Sequence, residues 1–122
     1  MNRGATVDYA ARERDADFLM NDVFDIQENW SQIEAYQELS PDLVKAVIAE
    51  GGRLASEVMA PLNEVGDQYG CELKDGEVTT PPGFKEAFAE LTQGGWLGLS
   101  GNPAFGGQGM PKSLAGLIEE MF

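Results

Sequence analysis

A chain of 122 residues, 43% hydrophobic and 24% charged, is long enough for one modest core and has the composition of an ordinary globular domain. Eight basic against twenty-one acidic residues leave a net charge of −13, which argues against nucleic acid or an anionic membrane as partner, since both are bound through a basic face. The acids are spread along the chain, so the charge reads as solubility. With one cysteine, Cys71, and no histidine, neither an internal disulfide, a Cys/His zinc set nor a Ser-His-Asp triad can be assembled.

The N-terminus, MNRGATVDYAARERDAD, has no apolar run after its first basic residue and is not a secretory signal. No stretch approaches the roughly 20 apolar residues that cross a bilayer, so a cytoplasmic protein is the default expectation. From Asp15 to about Trp30, Phe18, Leu19, Val23, Phe24 and Ile26 fall near helical spacing. They predict a short helix that breaks or bends near Asp25. Ile33, Tyr36 and Leu39 continue a looser helical pattern.

The strongest helix signal opens at Ser40-Pro41-Asp42. Serine is a good N-cap, proline suits the first helical position, and an early aspartate suits the helix dipole. Leu43, Val44, Val47, Ile48, Leu54, Ala55, Val58, Met59 and Leu62 then form one apolar stripe. Gly51-Gly52 costs this helix roughly 1 kcal/mol per glycine relative to alanine. Their presence predicts either the close approach of another helix or a kink. Pro61 is expected to loosen the last turns and Gly66 to end them by about Val65.

In CELKDGEVTTPPG, Asp75-Gly76 is a hairpin-turn pair flanked by Leu73 and Val78, which predicts a small two-stranded ribbon. Cys71 is expected as a small, semi-buried residue at the strand start. Thr80-Pro81-Pro82 then caps a helix from about Pro82 to Gln93, with Phe84, Phe88 and Leu91 on one face and Gly94-Gly95 as its stop. Beyond a glycine-dense loop and Pro111, a last helix carries Leu114, Leu117, Ile118, Met121 and Phe122 at i, i+3, i+4, i+7 and i+8. The sequence stops on that stripe without a cap and reads as cut within its last helix, with an exposed apolar face that calls for a partner surface. The architecture expected is all-α, four to five helices in an orthogonal or bundle-like packing, with one small β-hairpin near 71–80.

Within the loop, Gly106-Gly107-x-Gly109 reads as a tight turn needing positive φ or close backbone approach. Phosphate binding at a helix N-terminus is the alternative, although the spacing fits neither a Rossmann motif nor a nucleotide loop. Trp96 and Phe105 read as core anchors of the loop. Glu119 and Glu120 are neighbours on a helix, about 100° apart, and form no converging acid–base pair.

Three segments together resemble the acyl-CoA dehydrogenase family. Gly95-Trp96-Leu97-Gly98-Leu99 followed by Pro103-Ala104-Phe105-Gly106-Gly107-Gln108-Gly109-Met110 is similar to the family's glycine-rich connection, which leads into a helix ending in an acidic pair, here Glu119-Glu120. Glu57 to Asp67 resembles the end of its long N-terminal helix. Tyr9 to Val23 is similar to an extension of one subgroup: Tyr9, Ala11, Arg14, Asp15, Phe18 and Asn21 fit, while Arg12 and Ala16 replace the usual proline and methionine. That subgroup also shares the Lys74 to Ala87 stretch and includes enzymes similar to 3-methylthiopropanoyl-CoA dehydrogenase.

The resemblance implies residues 1–39 as an N-terminal extension with short helices and 40–122 as an N-terminal helical domain. It implies α,β-dehydrogenation of an acyl-CoA to the 2-enoyl-CoA, with FAD as cofactor and a glutamate base in a C-terminal domain that these residues do not include. No catalytic, cofactor-binding or metal residue is then expected in this chain, nor FAD bound by this chain alone. Phe105, Gly106, Gly107, Leu117 and Met121 are placed by the resemblance near the acyl-chain side of the site. The complete enzyme would take an acyl-CoA substrate and an electron acceptor and form a homo-oligomer. The competing expectation is a stand-alone acidic helical interaction module, without catalysis, that binds through Leu114, Leu117, Ile118 and Met121.

Overall fold

The computed structural model describes residues 9–122. Helix α1 (Glu13–Asp17) widens into a turn with i→i+5 hydrogen bonds over Phe18–Val23. It breaks at Asp25, whose φ of 45° is left-handed, a region that aspartate tolerates better than most side chains. The break is where the sequence predicts it, but the buried face differs. Ala16, Met20 and Trp30 turn inward, whereas Phe18, Leu19, Val23 and Phe24 are exposed. Helix α2 (Ile26–Ser31) and a single 3-10 turn (Glu34–Tyr36) complete this segment.

Helix α3 (Pro41–Arg53) opens as expected, with Ser40 Oγ accepting the Leu43 N–H at 3.1 Å. It runs through a second wide turn (Leu54–Met59) into α4 (Ala60–Tyr69). Pro61 lies at the start of α4. Its ring would press on the carbonyl four residues back in a regular helix, and the wide turn directly before it loosens the backbone at that point. The helix does not stop near Val65. Gly66 stays helical because its bare Cα lies against Phe84, where a methyl group would sit 3.1 Å from the ring; Gly70, with φ +63°, follows the last turn instead.

Strands β1 (Glu72–Lys74) and β2 (Glu77–Thr79) pair antiparallel, with Leu73 opposite Val78. Asp75 and Gly76 both have positive φ, 52° and 81°, the geometry of the two-residue hairpin turn that matches strand twist. All six strand residues are exposed, and Cys71 is exposed too. Its semi-buried placement is thereby corrected: the hairpin packs neither face, so among the described residues nothing covers the thiol. Helix α5 (Phe84–Gln93) begins after the left-handed Gly83, two residues later than expected. It buries Ala87 and Leu91 while Phe88 stays exposed.

The largest departure concerns α6 (Lys112–Met121). Its stripe is not an exposed face. Leu114 is 0% and Ile118 1% accessible, each worth roughly 1.5–3 kcal/mol of burial. Leu114 joins Ala16, Met20, Trp30, Val44 and Ile48 in one cluster; Ile118 joins Leu99 and Ala115 in another, and half-buried Val47, Met110 and Met121 pack against both. Gly51 allows this packing: a methyl group there would lie 2.6 Å from Ile118 Cδ1. Gly52 does the same for the N-terminal segment, with Ala11 Cβ 3.2 Å and Glu13 Oε1 2.6 Å from its own missing methyl. Close approach, rather than a kink at the glycines, explains the pair. The observed architecture is helical with one small hairpin, as the sequence predicts.

Candidate functional site

The loop between α5 and α6 is built on backbone hydrogen bonds. It contains two short 3-10 turns, Trp96–Gly98 and Pro103–Phe105. Asn102 organises the second: its Oδ1 accepts the Ala104 N–H at 2.9 Å, and its carbonyl accepts the N–H groups of Phe105 and Gly107 at 3.0 and 3.1 Å. The returning limb then donates from Gln108 to Gly98, from Gly109 to Gly101 and from Met110 to Leu99, each at 2.9 Å. Gly107 faces Gly101 so closely that a Cβ would overlap the Gly101 backbone. Gly106 adopts φ +87°, which a side chain would strain.

This pattern decides between the two readings of the glycines. A phosphate cradle needs N–H groups free to point at the anion. Every N–H from Ala104 to Met110 here already donates to an oxygen of the loop itself. The glycines serve the close crossing of two loop limbs, and the loop from Ala104 to Met110 offers no free amide to an anion.

The residues expected at the acyl side fall into two environments. Phe105 is 90% exposed at the end of its 3-10 turn, beside exposed Gly106, while Gly107 is wedged within the loop. Leu117 and Met121 lie one helical turn apart on α6, half-buried against the core. Trp96 is half-buried and meets Phe122 edge-on, with ring centroids 6.0 Å apart. Phe105 is therefore no core anchor; Trp96 and Asn102 hold the loop instead. The Asn102-Pro103 pair is a turn-initiating signal that could have located the organiser from sequence. Glu119 and Glu120 are both exposed.

Two further features lie outside these residues. An apolar groove of about 240 Å³ runs between α4 and α5, lined by Met59, Leu62, Asn63, Phe84, Ala87, Phe88 and Leu91. On the adjoining surface Arg53 ties α3 to α5. Its guanidinium donates to Glu50 Oε1 and Glu90 Oε1, both at 2.8 Å from Nη2, and approaches Glu57 at 3.8 Å. Hydrogen bonding to Arg53 lowers the Glu50 carboxyl below its ordinary value; hydrogen bonds to Glu50 and Glu90 raise Arg53 in turn. The spacing 50, 53, 57 signals the helical part of this cluster in sequence; the Glu90 arm needs the fold.

These residues do not fit a flavin dinucleotide. The groove has one polar side chain, Asn63, and no charged group for a pyrophosphate, and the loop amides are engaged. Among the described residues no cluster of His, Cys, Asp or Glu could hold a metal ion, and no helix is long and apolar enough to cross a membrane.

No protein-family profile matches the chain. A curated 3-methylmercaptopropionyl-CoA dehydrogenase of Ruegeria pomeroyi is 37% identical over 95 residues, covering 75% of this chain. The chain spans 16% of that relative's length. Over that stretch the chain is similar in sequence to an acyl-CoA dehydrogenase, the family that its motifs resemble.

Proposed function

We propose that this chain is the N-terminal portion of a flavin-dependent acyl-CoA dehydrogenase, with residues 1–39 as its extension and 40–122 as the helical domain that walls the acyl side of the site. The observation that carries this reading is the 37% identity to a 3-methylmercaptopropionyl-CoA dehydrogenase over three quarters of the chain. The reaction would be α,β-dehydrogenation of an acyl-CoA thioester, with FAD supplying the hydride acceptor. The part played by these residues is shape. Phe105 presents an aromatic ring on a loop fixed by its own hydrogen bonds, and Leu117 and Met121 add apolar surface on a helix pinned by Leu114 and Ile118. Such groups position an acyl chain and exclude water; they carry no proton.

The interaction-module reading keeps only Leu117 and Met121 of its four-residue face, because Leu114 and Ile118 are consumed by the core. The test is to read the coding frame on both sides of this stretch and express the whole. A bound flavin and acyl-CoA-dependent reduction of an artificial electron acceptor are expected, with Leu117 and Met121 substitutions shifting kcat/KM between short and long acyl chains. A complete product with neither flavin nor turnover on any acyl-CoA refutes the proposal.

A further inference from the structure

We infer that the N-terminal segment is a clasp, seated on Gly52 and Ser56 of the long helix, whose docking closes the core of the whole chain rather than decorating it. The seat is specific. The Ala11 N–H donates to Ser56 Oγ at 3.0 Å in a partly buried bond between residues 45 apart in sequence. Gly52, itself buried, has no Cβ, and Ala11 and Glu13 occupy the space one would need. Ser56 stands in the wide turn Leu54–Met59, so the segment meets the long helix where its backbone departs from regular geometry.

Behind the seat the segment supplies Ala16, Met20 and Trp30 to the cluster containing Val44, Ile48 and Leu114. Trp30 is 3% and Ala16 2% accessible. Without them, Val44, Ile48 and Leu114 lose the side chains on one flank, and three buried positions of residues 40–122 open to water. The physical consequence is a single cooperative unit, in which the segment cannot swing away as a mobile arm while the remainder stays closed.

Native-state hydrogen exchange on the unaltered chain, read by mass spectrometry of peptides, tests this. Amides around Ala16 to Met20 are expected to exchange at rates within about threefold of those around Val44 to Ala55. Exchange of the former a hundredfold or more faster makes the segment an appendage and overturns the inference, as does a chain without any slow amides. Gly52→Val in the full chain provides the second reading. Protection is expected to fall together in both regions; a loss confined to the N-terminal segment, with Val44 to Ala55 still protected, overturns the clasp.

Discussion

Gly51→Ala and Gly116→Ala are the same chemical change in two helices, and the structure predicts different outcomes. Alanine is worth about 1 kcal/mol over glycine in a helix interior, and both residues are interior to their helices. At Gly116 the new methyl meets none of the described residues within 4 Å, so the full gain of about 1 kcal/mol is expected. At Gly51 it would lie 2.6 Å from Ile118 Cδ1, 3.4 Å from Ile118 Cγ2 and 3.5 Å from Trp96 Cζ3. Carbon contacts relax near 3.5–4.0 Å, so the first is short by about 1 Å. Ile118 is 1% accessible, with no free space to retreat into. Overpacking of this kind costs about 1–3 kcal/mol, leaving Gly51→Ala roughly neutral to about 2 kcal/mol destabilised after the helix gain.

The two variants should therefore differ by about 1–3 kcal/mol in urea unfolding followed by far-UV circular dichroism. At about 4 °C per kcal/mol this is a Tm separation of about 4–12 °C. Ile118→Val supplies the internal control, since it removes the offending Cδ1. Alone it should cost about 0.5–1.5 kcal/mol, and in the Gly51→Ala background less, or nothing, giving a coupling of at least about 0.5 kcal/mol. Equal stabilisation by both alanines, or strict additivity with Ile118→Val, would refute the reasoning that α6 rests directly on Gly51.

Gly107→Ala places a Cβ on the Gly101 backbone, where no side chain can yield; a loss of about 3 kcal/mol or more is expected in the same unfolding assay, and a neutral result would mean the two limbs do not cross there. Leu114→Ala, at a 0% accessible position, should cost about 2–5 kcal/mol, whereas a loss under about 1 kcal/mol would place that residue outside the core. Phe105→Ala removes a ring that is 90% exposed, so stability should stay within about 0.5 kcal/mol; a simultaneous fall in acyl-CoA turnover by the complete enzyme would identify the ring as a ligand contact. The Glu50 carboxyl is lowered from 4.5 by its hydrogen bond to Arg53, so its contribution is present above pH 4.5 and lost as pH falls through the lowered value. Glu50→Gln should flatten the acid limb of the stability profile slightly, the pair being solvent-exposed; superimposable acid limbs would dismiss the link.

Chain punctuation was legible from sequence because each signal acts locally. Ser40 caps its helix through its own hydroxyl, Asp75-Gly76 turns through its own φ angles, and Asp25 breaks a helix through its own left-handed backbone. What the sequence did not disclose is which neighbour each face meets. Ala16, Gly51 and Gly52 carry little hydropathy signal, yet they are buried because other elements lie against them. The larger Phe18 and Phe24 nearby suggested the wrong inner face. The stripe on α6 was read correctly as apolar but assigned to an absent partner, since its true partners are Val44, Ile48 and Gly51 of α3 together with Ala16, Met20 and Trp30 from the other end of the chain. Gly66 misled for a related reason: a glycine can end a helix or admit a ring, and only the position of Phe84 separates the two.

The hydrogen-bond pattern of the glycine-rich loop bears directly on what this chain can contribute to chemistry. With its amides from Ala104 to Met110 donating inward, the loop has no backbone donors left along that stretch to stabilise a developing negative charge, the role that amides play in sites that polarise a carbonyl. It offers rigidity and one outward aromatic ring at Phe105. A rigid apolar wall discriminates substrates by methylene-sized differences, worth about 1–3 kcal/mol each. On the proposed reading, substitutions along Phe105, Leu117 and Met121 should therefore redistribute kcat/KM among acyl chains by about 10- to 200-fold while leaving the pH dependence of turnover in place. A change in that pH profile would instead mean that a titrating group of this chain reaches the reacting atoms.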